Sequence, residues 1–471
     1  MKMITQTANI QVCPSKSMSH RLGICAALAD GTSTLENNLD CADTRRTAGV
    51  LAAAGAVVLA KGKGACGARK LEIMGIPLGK GNPLYSNDIQ GFSCCVGDSG
   101  TTCRFLTPVL AAIGISGTRF HVFGSERMDE RPIEPLLKVL QQQGCQFEFL
   151  GREWHTPFII IANGINGGRI EIDCADTNQY LSGLLLAAPL AKTPVTIFPT
   201  GRRIASWKYV LLTLDAMEMF GVKVVVSTRR KLLDEWAPID WRKMEEMPKP
   251  GYIKFDISPS TYKPSKVSCD ADWSTASYFL AAGALGPMSV QVEGLDKASL
   301  QGDRVITQIL KKMGATIVTD EVCVTAKPAS AGELCGVEWD MSSYPDLVPT
   351  VAVLGAIAYS GPTKLYGVEH LELKESNRIQ AIIQELDRIG ATAKMENGTL
   401  IIQQLNNIQR ANLRNTSVFF SAHNDHRLAM SLSLLELIGI TVKLDNTDCV
   451  AKSFPQFWEQ WDKIRQLMAT K

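Results

Sequence analysis

One pattern recurs six times along the chain and limits its fold more than any other feature. A run of small apolar residues with helical character, a turn and a strand appear as AALADGTSTLENN (26–38), LAAIGISGTRFHVFG (110–124), LAAPLAKTPVTIFPTG (186–201), LAAGALGPMSVQVEG (280–294), VLGAIAYSGPTKLYG (353–367) and LLELIGITVKLDN (434–446). The copies end about 80 residues apart, close to one sixth of the 471-residue chain. Between them lies a second element, an amphipathic helix closed by glycine and followed by an alternating strand, around Gly55, Gly144, Gly221, Gly314 and Gly390. Glycine after the last turn supplies the left-handed cap, and Val/Ile/Phe alternation suits a half-buried strand. The sixth copy of this element is the C-terminal helix, Phe454 to Met468. Each unit then holds about two helices and three or four strands, and none buries its apolar face alone, so the units must pack together in an α/β architecture. They form either one ring or two groups of three. The Lys/Glu/Trp/Pro-rich stretch Lys231 to Gly251, read as a surface insertion, and the polar stretch Ser258 to Lys266, read as a hinge, favour three plus three.

With 45% hydrophobic and 20% charged residues the chain has material for sizeable cores and no signature of global disorder. A net charge of +2 argues against a nucleic-acid or other bulk polyanion partner, so cationic chemistry must be local. Thirteen cysteines, an odd number without a CxxC pair, fit free thiols in the cytoplasm. Met1 to Cys13 lacks the apolar core of a secretory signal, and the longest apolar run, Val348 to Tyr359, is too short to span a membrane and reads as a buried helix.

The chemistry collects at the turns. Ser15-Lys16-Ser17-Met18-Ser19-His20-Arg21 leads into an apolar helix, where free backbone N–H groups attract anions; it is either a phosphate corner or a serine-capped surface helix. Gly97-Asp98-Ser99-Gly100-Thr101-Thr102 opens a helix carrying Arg104 and suits close approach of an anion, although no Walker A lysine closes it; a capped turn is the plain alternative. Gly62-Lys63-Gly64-Ala65-Cys66-Gly67 formally matches GxGxxG but is followed by strand residues, so it reads as a hairpin. Ser125-Glu126-Arg127-Met128-Asp129-Glu130-Arg131-Pro132 precedes a helix and is either a solvated ion-pair network or a ligand loop. Thr177-Asn178-Gln179-Tyr180, Ser206 and Tyr209 offer neutral hydrogen-bonding groups suited to a hydroxylated ligand. Asp346 stands before an apolar helix as a cap or a general base, and position alone favours the cap. Lys374-Glu375-Ser376-Asn377-Arg378 opens the next helix, His426-Arg427 another, and Lys452 follows the last repeat strand. With no HExxH and no Cys cluster, a metal site is rejected.

A cation thus recurs between strand and helix: Lys16, Arg21, Arg104, Arg127, Lys374, Arg378, Arg427 and Lys452. Each phosphate carries about −1.5 to −2 charge near neutral pH, so such a set matches two phosphates and a carboxylate. The expected ligand is a small, multiply phosphorylated substrate set.

At this point SKSMSHR, GDSGTTCR, ERMDERPI, NQYLSGLLLAAPLA, ADWSTASYFLAAGAL, QGDRVITQILKKMGAT, YPD, LKESNR, NDHRLAM and CVAKSFP stand in one order that resembles the EPSP synthase (3-phosphoshikimate 1-carboxyvinyltransferase) family, over nearly the whole chain except Lys231 to Gly251. The resemblance implies a two-domain inverse α/β barrel of six βαβαββ repeats, three plus three, whose halves close over their substrates. Residues 1–14 and 270–471 would form one domain and 15–269, with the insertion 231–251, the other. It implies enolpyruvyl transfer from phosphoenolpyruvate to the 5-hydroxyl of shikimate 3-phosphate by a cytoplasmic monomer, with no cofactor, metal, nucleic-acid partner or membrane attachment. By motif, Lys16, Ser17, Arg21, Thr177, Asn178, Gln179, Ser206, Tyr209, Asp346, His370 and Lys374 would bind shikimate 3-phosphate. Lys16, Gly100, Thr101, Arg127, Gln179, Arg378, Arg427 and Lys452 would bind phosphoenolpyruvate, with Asp346, Glu375 and Lys16 catalytic. Retention of Gly100 implies sensitivity to the family's competitive inhibitor glyphosate. The chain departs from the family pattern at Pro14 (glycine), Asp98 (asparagine), Thr177-Asn178 (a serine pair) and His370 (asparagine). Of these, Asp98 would weaken phosphoenolpyruvate binding unless Arg127 or another cation pairs with it. Two other readings accompany this one: UDP-N-acetylglucosamine enolpyruvyl transferase, and a non-catalytic binding homologue.

Overall fold

Glycines stop the amphipathic helices where the sequence places them, and this sets the repeating layout of the chain. In the computed structural model, which describes residues 6–78, 91–115, 117–329 and 333–469, Gly55, Gly144, Gly221, Gly314 and Gly390 all have positive φ and each is followed by a strand. The chain divides into two compact units: unit I, Lys16–Gly64 and Ala68–Cys269, and unit II, Met1–Ser15, Ala65–Gly67 and Asp270–Lys471.

Unit I contains α1 (Lys16–Leu28), α2 (Ala42–Ala53), α3 (Gly100–Ile113), α4 (Glu126–Glu130), α5 (Glu134–Gln142), α6 (Gln179–Ala187) and α7 (Lys208–Met219). The small-residue helices α1, α3 and α6 are buried on almost every face, as runs of Ala, Gly, Ser and Leu allow. Gly183 lets α6 close on α3, since a Cβ there would lie 2.4 Å from the Arg104 carbonyl oxygen. Three sheets enclose these helices, and each starts with a parallel pair and continues antiparallel: Lys266–Ser268, Thr32–Leu39, Ala68–Met74, Val57–Lys63; then Phe92–Gly97, Thr118–Gly124, Phe158–Ala162, Gln146–Phe149; then Gly168–Asp173, Val195–Thr200, Ile253–Ile257, Val225–Thr228, Ala237–Pro238. In the second and third sheets the parallel partners are joined through α3 and α6, the crossover that a parallel pair needs.

Unit II contains α8 (Trp273–Leu285), α9 (Ile306–Lys312), α10 (Val348–Ala356), α11 (Arg378–Asp387), α12 (Asn407–Leu413), α13 (His426–Leu432) and α14 (Phe457–Ala469). Here α8, α10 and α13 form the buried set. They share one polar seam, in which the Thr350 hydroxyl lies 3.2 Å from that of Ser431 and 3.5 Å from that of Ser277, so these three buried hydroxyls partner one another. Two sheets repeat the order seen in unit I, Thr7–Gln11 with Ser289–Glu293, Cys323–Lys327 and Thr316–Thr319, and Glu338–Asp340 with Thr363–Tyr366, Thr399–Ile402 and Ala393–Glu396. A parallel pair, Ser417–Phe420 with Thr441–Leu444, completes the set. Thr7–Gln11 pairs with Ser289–Glu293, and α14 returns to it, Gln460 accepting from the Gln11 N–H at 3.3 Å.

Two sequence readings change. Ser258 to Lys266, read as a hinge for its polarity, is bolted into unit I: Tyr262 is fully buried and its hydroxyl donates to the Leu186 carbonyl at 2.8 Å, and the chain passes to unit II at Asp270. The stretch Lys231 to Gly251 lies at the surface, as an insertion there should, with most of its residues exposed. Ala237–Pro238 adds to the sheet edge, Trp236 lies edge-on to Phe198 at 5.8 Å, and Trp241 is buried. Residues 126–130 are themselves helical, with Ser125 as the cap, rather than a loop before a helix. The GxGxxG match does form a hairpin, Val57–Lys63 with Ala68–Met74. The outermost residues of the expected domain bounds, 1–5 and 470–471, lie outside the described residues.

Candidate active site

In each unit most of the polar residues picked out by sequence sit at or just before helix starts. In unit I, Lys16 is the first residue of α1, and its ammonium meets Asp43, at the start of α2, at 3.0 Å. One turn further, His20 on α1 meets Thr47 at 2.7 Å, and Thr47 meets Thr102 of α3 at 2.8 Å. Thr102 in turn donates to the side chain of Ser99, which caps α3, at 2.7 Å. Burial holds the His20 imidazole neutral, pulling it down to about 3, and the pull of Asp43 opposes this without overcoming it. A hydroxyl and imidazole wire therefore ties the starts of three helices together.

Arg104 and Arg131 organise the neighbouring loops. Arg104 Nη1 donates to Gln179 Oε1 at 2.9 Å, and Gln179 Nε2 donates to the Thr101 hydroxyl at 3.1 Å. Arg104 also donates to the Pro132 carbonyl, which accepts from the Tyr180 hydroxyl at 2.7 Å. At Gly100 a Cβ would stand 2.6 Å from Arg131 Nη2 and 2.7 Å from Arg104 Nη1, so any side chain there must push both guanidinium ends aside. Asp98 accepts from the Ser125 hydroxyl through its side chain and from Arg131 Nη1 at 3.3 Å through its carbonyl. Arg127 pairs with Glu130 at 2.7 Å. Gln179 N–H donates to Thr177 at 3.1 Å, and Asn178 donates to the carbonyl of Ser206 at 2.9 Å, a residue held at φ +55°. Arg21 is buried: it donates to Thr213, to the Ser17 carbonyl and to the Tyr209 carbonyl at 2.7–2.8 Å and lies over the Phe105 ring. Burial pulls its guanidinium down to about 9, so it stays charged at neutral pH.

In unit II one guanidinium gathers the acids. Arg378, the first residue of α11, reaches Asp425 at 2.7 Å, Asp346 at 2.9 Å and Glu375 at 3.0 Å. Burial alone would pull Arg378 down, but the three carboxylates outweigh it and hold it above its ordinary value. The second Asp346 oxygen accepts from Arg427 at 2.9 Å, and Lys452 stands 3.8 Å from Glu375. Asp346 does not cap α10, the role its position favoured. Leu347 is the cap residue, and the carboxylate turns across to two arginines 32 and 81 residues away, where two charged donors outweigh one local N–H. Lys374 ends the 3₁₀ turn Glu369–Leu373 that carries buried His370, so these two lie on the segment leading into the cluster.

Several participants escaped the sequence reading. Asp43 and Asp425 hold Lys16 and Arg378; Asp425 caps α13 through the Arg427 N–H at 3.0 Å, a signal visible as an aspartate before a helix start. Asp303, held by Ser274, is pushed above the usual carboxylate range by burial and by Asp346. Thr47 had no local signal, because its partners are distant in sequence, and Arg131, inside the stretch already picked out, gave no sign of its contact with Asp98.

In each unit, then, cations and carboxylates meet at helix starts. The fold is that of the enolpyruvyl transferases, a two-domain inverse α/β barrel. The chain superposes on EPSP synthase from Acinetobacter baumannii with a TM-score of 0.70 (22% identity, 98% of this chain and 96% of that one). It superposes on the enolpyruvyl transferase NikO from Streptomyces tendae with a TM-score of 0.66 (17% identity, 98% and 95%).

Within that class, the family model for EPSP synthase (3-phosphoshikimate 1-carboxyvinyltransferase) matches residues 2–233 and 245–461, and the chain belongs to that family. The unmatched gap falls inside 231–251 and is shorter than that stretch. Relatives named 3-phosphoshikimate 1-carboxyvinyltransferase include that of Haemophilus influenzae (strain PittEE), 34% identical over 455 residues, 96% of this chain and 94% of that one. That of Shewanella amazonensis is 32% identical over 458 residues, 97% of this chain and 96% of its own length. Among the described residues no helix is long and apolar enough to cross a membrane.

Proposed function

We propose that this chain transfers the enolpyruvyl group of phosphoenolpyruvate to the 5-hydroxyl of shikimate 3-phosphate and releases phosphate. The observation that carries the reading is the pair Asp346 and Glu375, held by the single buried guanidinium of Arg378. The reaction needs one carboxyl group to take a proton and another to give one. Asp346 takes the proton of the 5-hydroxyl, and its match to Arg378 and Arg427 suits an ionised base. Glu375 delivers a proton to the methylene carbon of phosphoenolpyruvate, with Lys452 beside it. The C2 centre becomes electrophilic, the 5-oxygen bonds to it, and a tetrahedral phospho-ketal with a methyl group results. Loss of a methyl proton and cleavage of the C2–O bond to phosphate then give the enol ether.

Lys16, Ser17, Arg21, Thr177, Asn178, Gln179, Ser206, Tyr209, His370 and Lys374 serve shikimate 3-phosphate; Lys16, Gly100, Thr101, Arg127, Gln179, Arg378, Arg427 and Lys452 serve phosphoenolpyruvate. The hydrogen bonds that Gln179 donates to Thr101 and accepts from Arg104 support the assignment of the α3 and α6 starts to one ligand site. Electrostatic stabilisation by these cations and the positioning of two anionic substrates supply most of the rate. The protein acts as a monomer in the cytoplasm, a setting supported by thirteen free cysteines. The test is phosphate release from phosphoenolpyruvate with shikimate 3-phosphate or UDP-N-acetylglucosamine as acceptor. Release that depends on shikimate 3-phosphate alone supports the reading. Release with the nucleotide sugar, or with neither acceptor, overturns it.

A further inference from the structure

The buried helices of unit II carry the charge cluster at their N-terminal ends; at their C-terminal ends lies a cavity of about 310 Å³, within the usual size range of small-molecule sites. Leu285 ends α8, Ile357 follows α10, and Leu437 and Ile438 belong to the 3₁₀ turn after α13. Arg410 and Arg414, from the end of α12, line the same space.

The chemistry of the arginines is the unusual feature. Arg410 is only 9% exposed, and one of its nitrogens, Nη2, donates to the Ala358 carbonyl at 2.6 Å. Its guanidinium lies 4.2 Å from the Tyr359 ring. Nε is buried and has no hydrogen-bond partner, and among the described residues no carboxylate lies within ion-pair distance of Arg410 or Arg414. A plain helix-end role for Arg410 explains the Ala358 bond but leaves a largely buried cation with no carboxylate in ion-pair contact among the described residues, which is costly in an apolar setting. Burial accordingly pulls Arg410 below its ordinary value, with Tyr359 and then Glu333 opposing.

The geometry points to a binding site for a small carboxylate with an apolar body, its carboxylate on Arg410 and Arg414 and its hydrocarbon against Ile357, Leu437 and Ile438. A planar carboxylate matches the guanidinium fork, while the apolar walls disfavour a fully hydrated inorganic anion. This site is separate from the helix N-termini that carry Asp346 and Arg427.

The test uses 3-phenylpropanoate as probe and 3-phenylpropanamide and inorganic phosphate as controls, with binding to the full chain followed by calorimetry and ligand-observed NMR. The expected result is binding of the acid at least about tenfold tighter than of the amide or phosphate, the loss expected when a charged hydrogen-bonded contact is removed. Arg410→Gln should abolish that preference. Because Arg410 is buried and this variant could unfold, Arg414→Gln and the cavity-filling Ile438→Trp provide folded alternatives, each expected to weaken the acid about tenfold. Equal affinity for acid and amide, no binding at millimolar concentration, unchanged affinity in Ile438→Trp, or competition by phosphoenolpyruvate would each overturn the inference. None of these readouts depends on turnover.

Discussion

Acidifying the solution should charge His20 in the unfolded chain and leave it neutral in the folded one. His20 is buried, its Nδ1 is engaged by the Thr47 hydroxyl at 2.7 Å, its Nε2 is sealed without a partner, and burial pulls its pKa down to about 3 from 6.5. For a base whose folded pKa is depressed, the unfolded chain binds the proton first. Its stability contribution is therefore complete above pH 6.5 and is lost as pH falls from 6.5 toward 3. At about pH 5 the unfolded chain has gained roughly 1.5 pH units of protonation free energy at about 1.4 kcal/mol each, so His20 alone should cost about 2 kcal/mol. The figure is insensitive to the folded pKa as long as that value stays well below 5. Urea unfolding of the wild type and of His20→Gln, at about pH 7.5 and about pH 5, isolates this effect from every other titrating group. The wild type should lose about 2 kcal/mol more than the variant over that interval. Equal losses in the two proteins would show that His20 is solvated or charged in the folded state. The wire from α1 through Thr47 to Thr102 would then be wrong.

Other consequences are as direct. Glu375→Gln keeps the shape of the side chain but removes its proton, so steady-state turnover should fall about 10²- to 10⁴-fold while calorimetry shows shikimate 3-phosphate binding largely retained; normal turnover would remove Glu375 from the chemistry. Asp425→Ala takes away the fully buried carboxylate 2.7 Å from Arg378 and the cap of α13, and should destabilise the protein by about 3–5 kcal/mol in urea unfolding. Glyphosate should inhibit the wild type competitively against phosphoenolpyruvate. Gly100→Ala should raise the KM for phosphoenolpyruvate and weaken glyphosate, because the new methyl group must displace Arg104 and Arg131.

What the sequence reveals and what it hides follow from the range of the forces involved. Helix ends at Gly144 or Gly390 and the caps at Ser99 and Ser125 are local, and each is readable from a few neighbouring residues. The placement of Lys16, Gly100, Gln179, Asp346 and Arg427 at helix starts follows from the same local signals. The orientation of Asp346 is not local: a cap and a cross-chain ion pair look alike until Arg378 and Arg427 are seen to converge on it. Tyr262 is similar, since its surroundings in sequence are polar and its partner, Leu186, is far away. Asp43, Thr47, Asp303 and Arg131 likewise acquire their meaning only from tertiary partners.

The central claim is that the chain makes an enol ether through a protonated, methyl-bearing intermediate. Reaction of shikimate 3-phosphate and phosphoenolpyruvate in deuterium oxide, followed by phosphorus and proton NMR, tests it most directly. The account predicts one inorganic phosphate for each enolpyruvyl ether formed, with deuterium in the product's vinyl CH₂ group, and both signals appearing about 10²- to 10⁴-fold more slowly with Glu375→Gln. Phosphate released without the ether, or an ether free of deuterium, would contradict it.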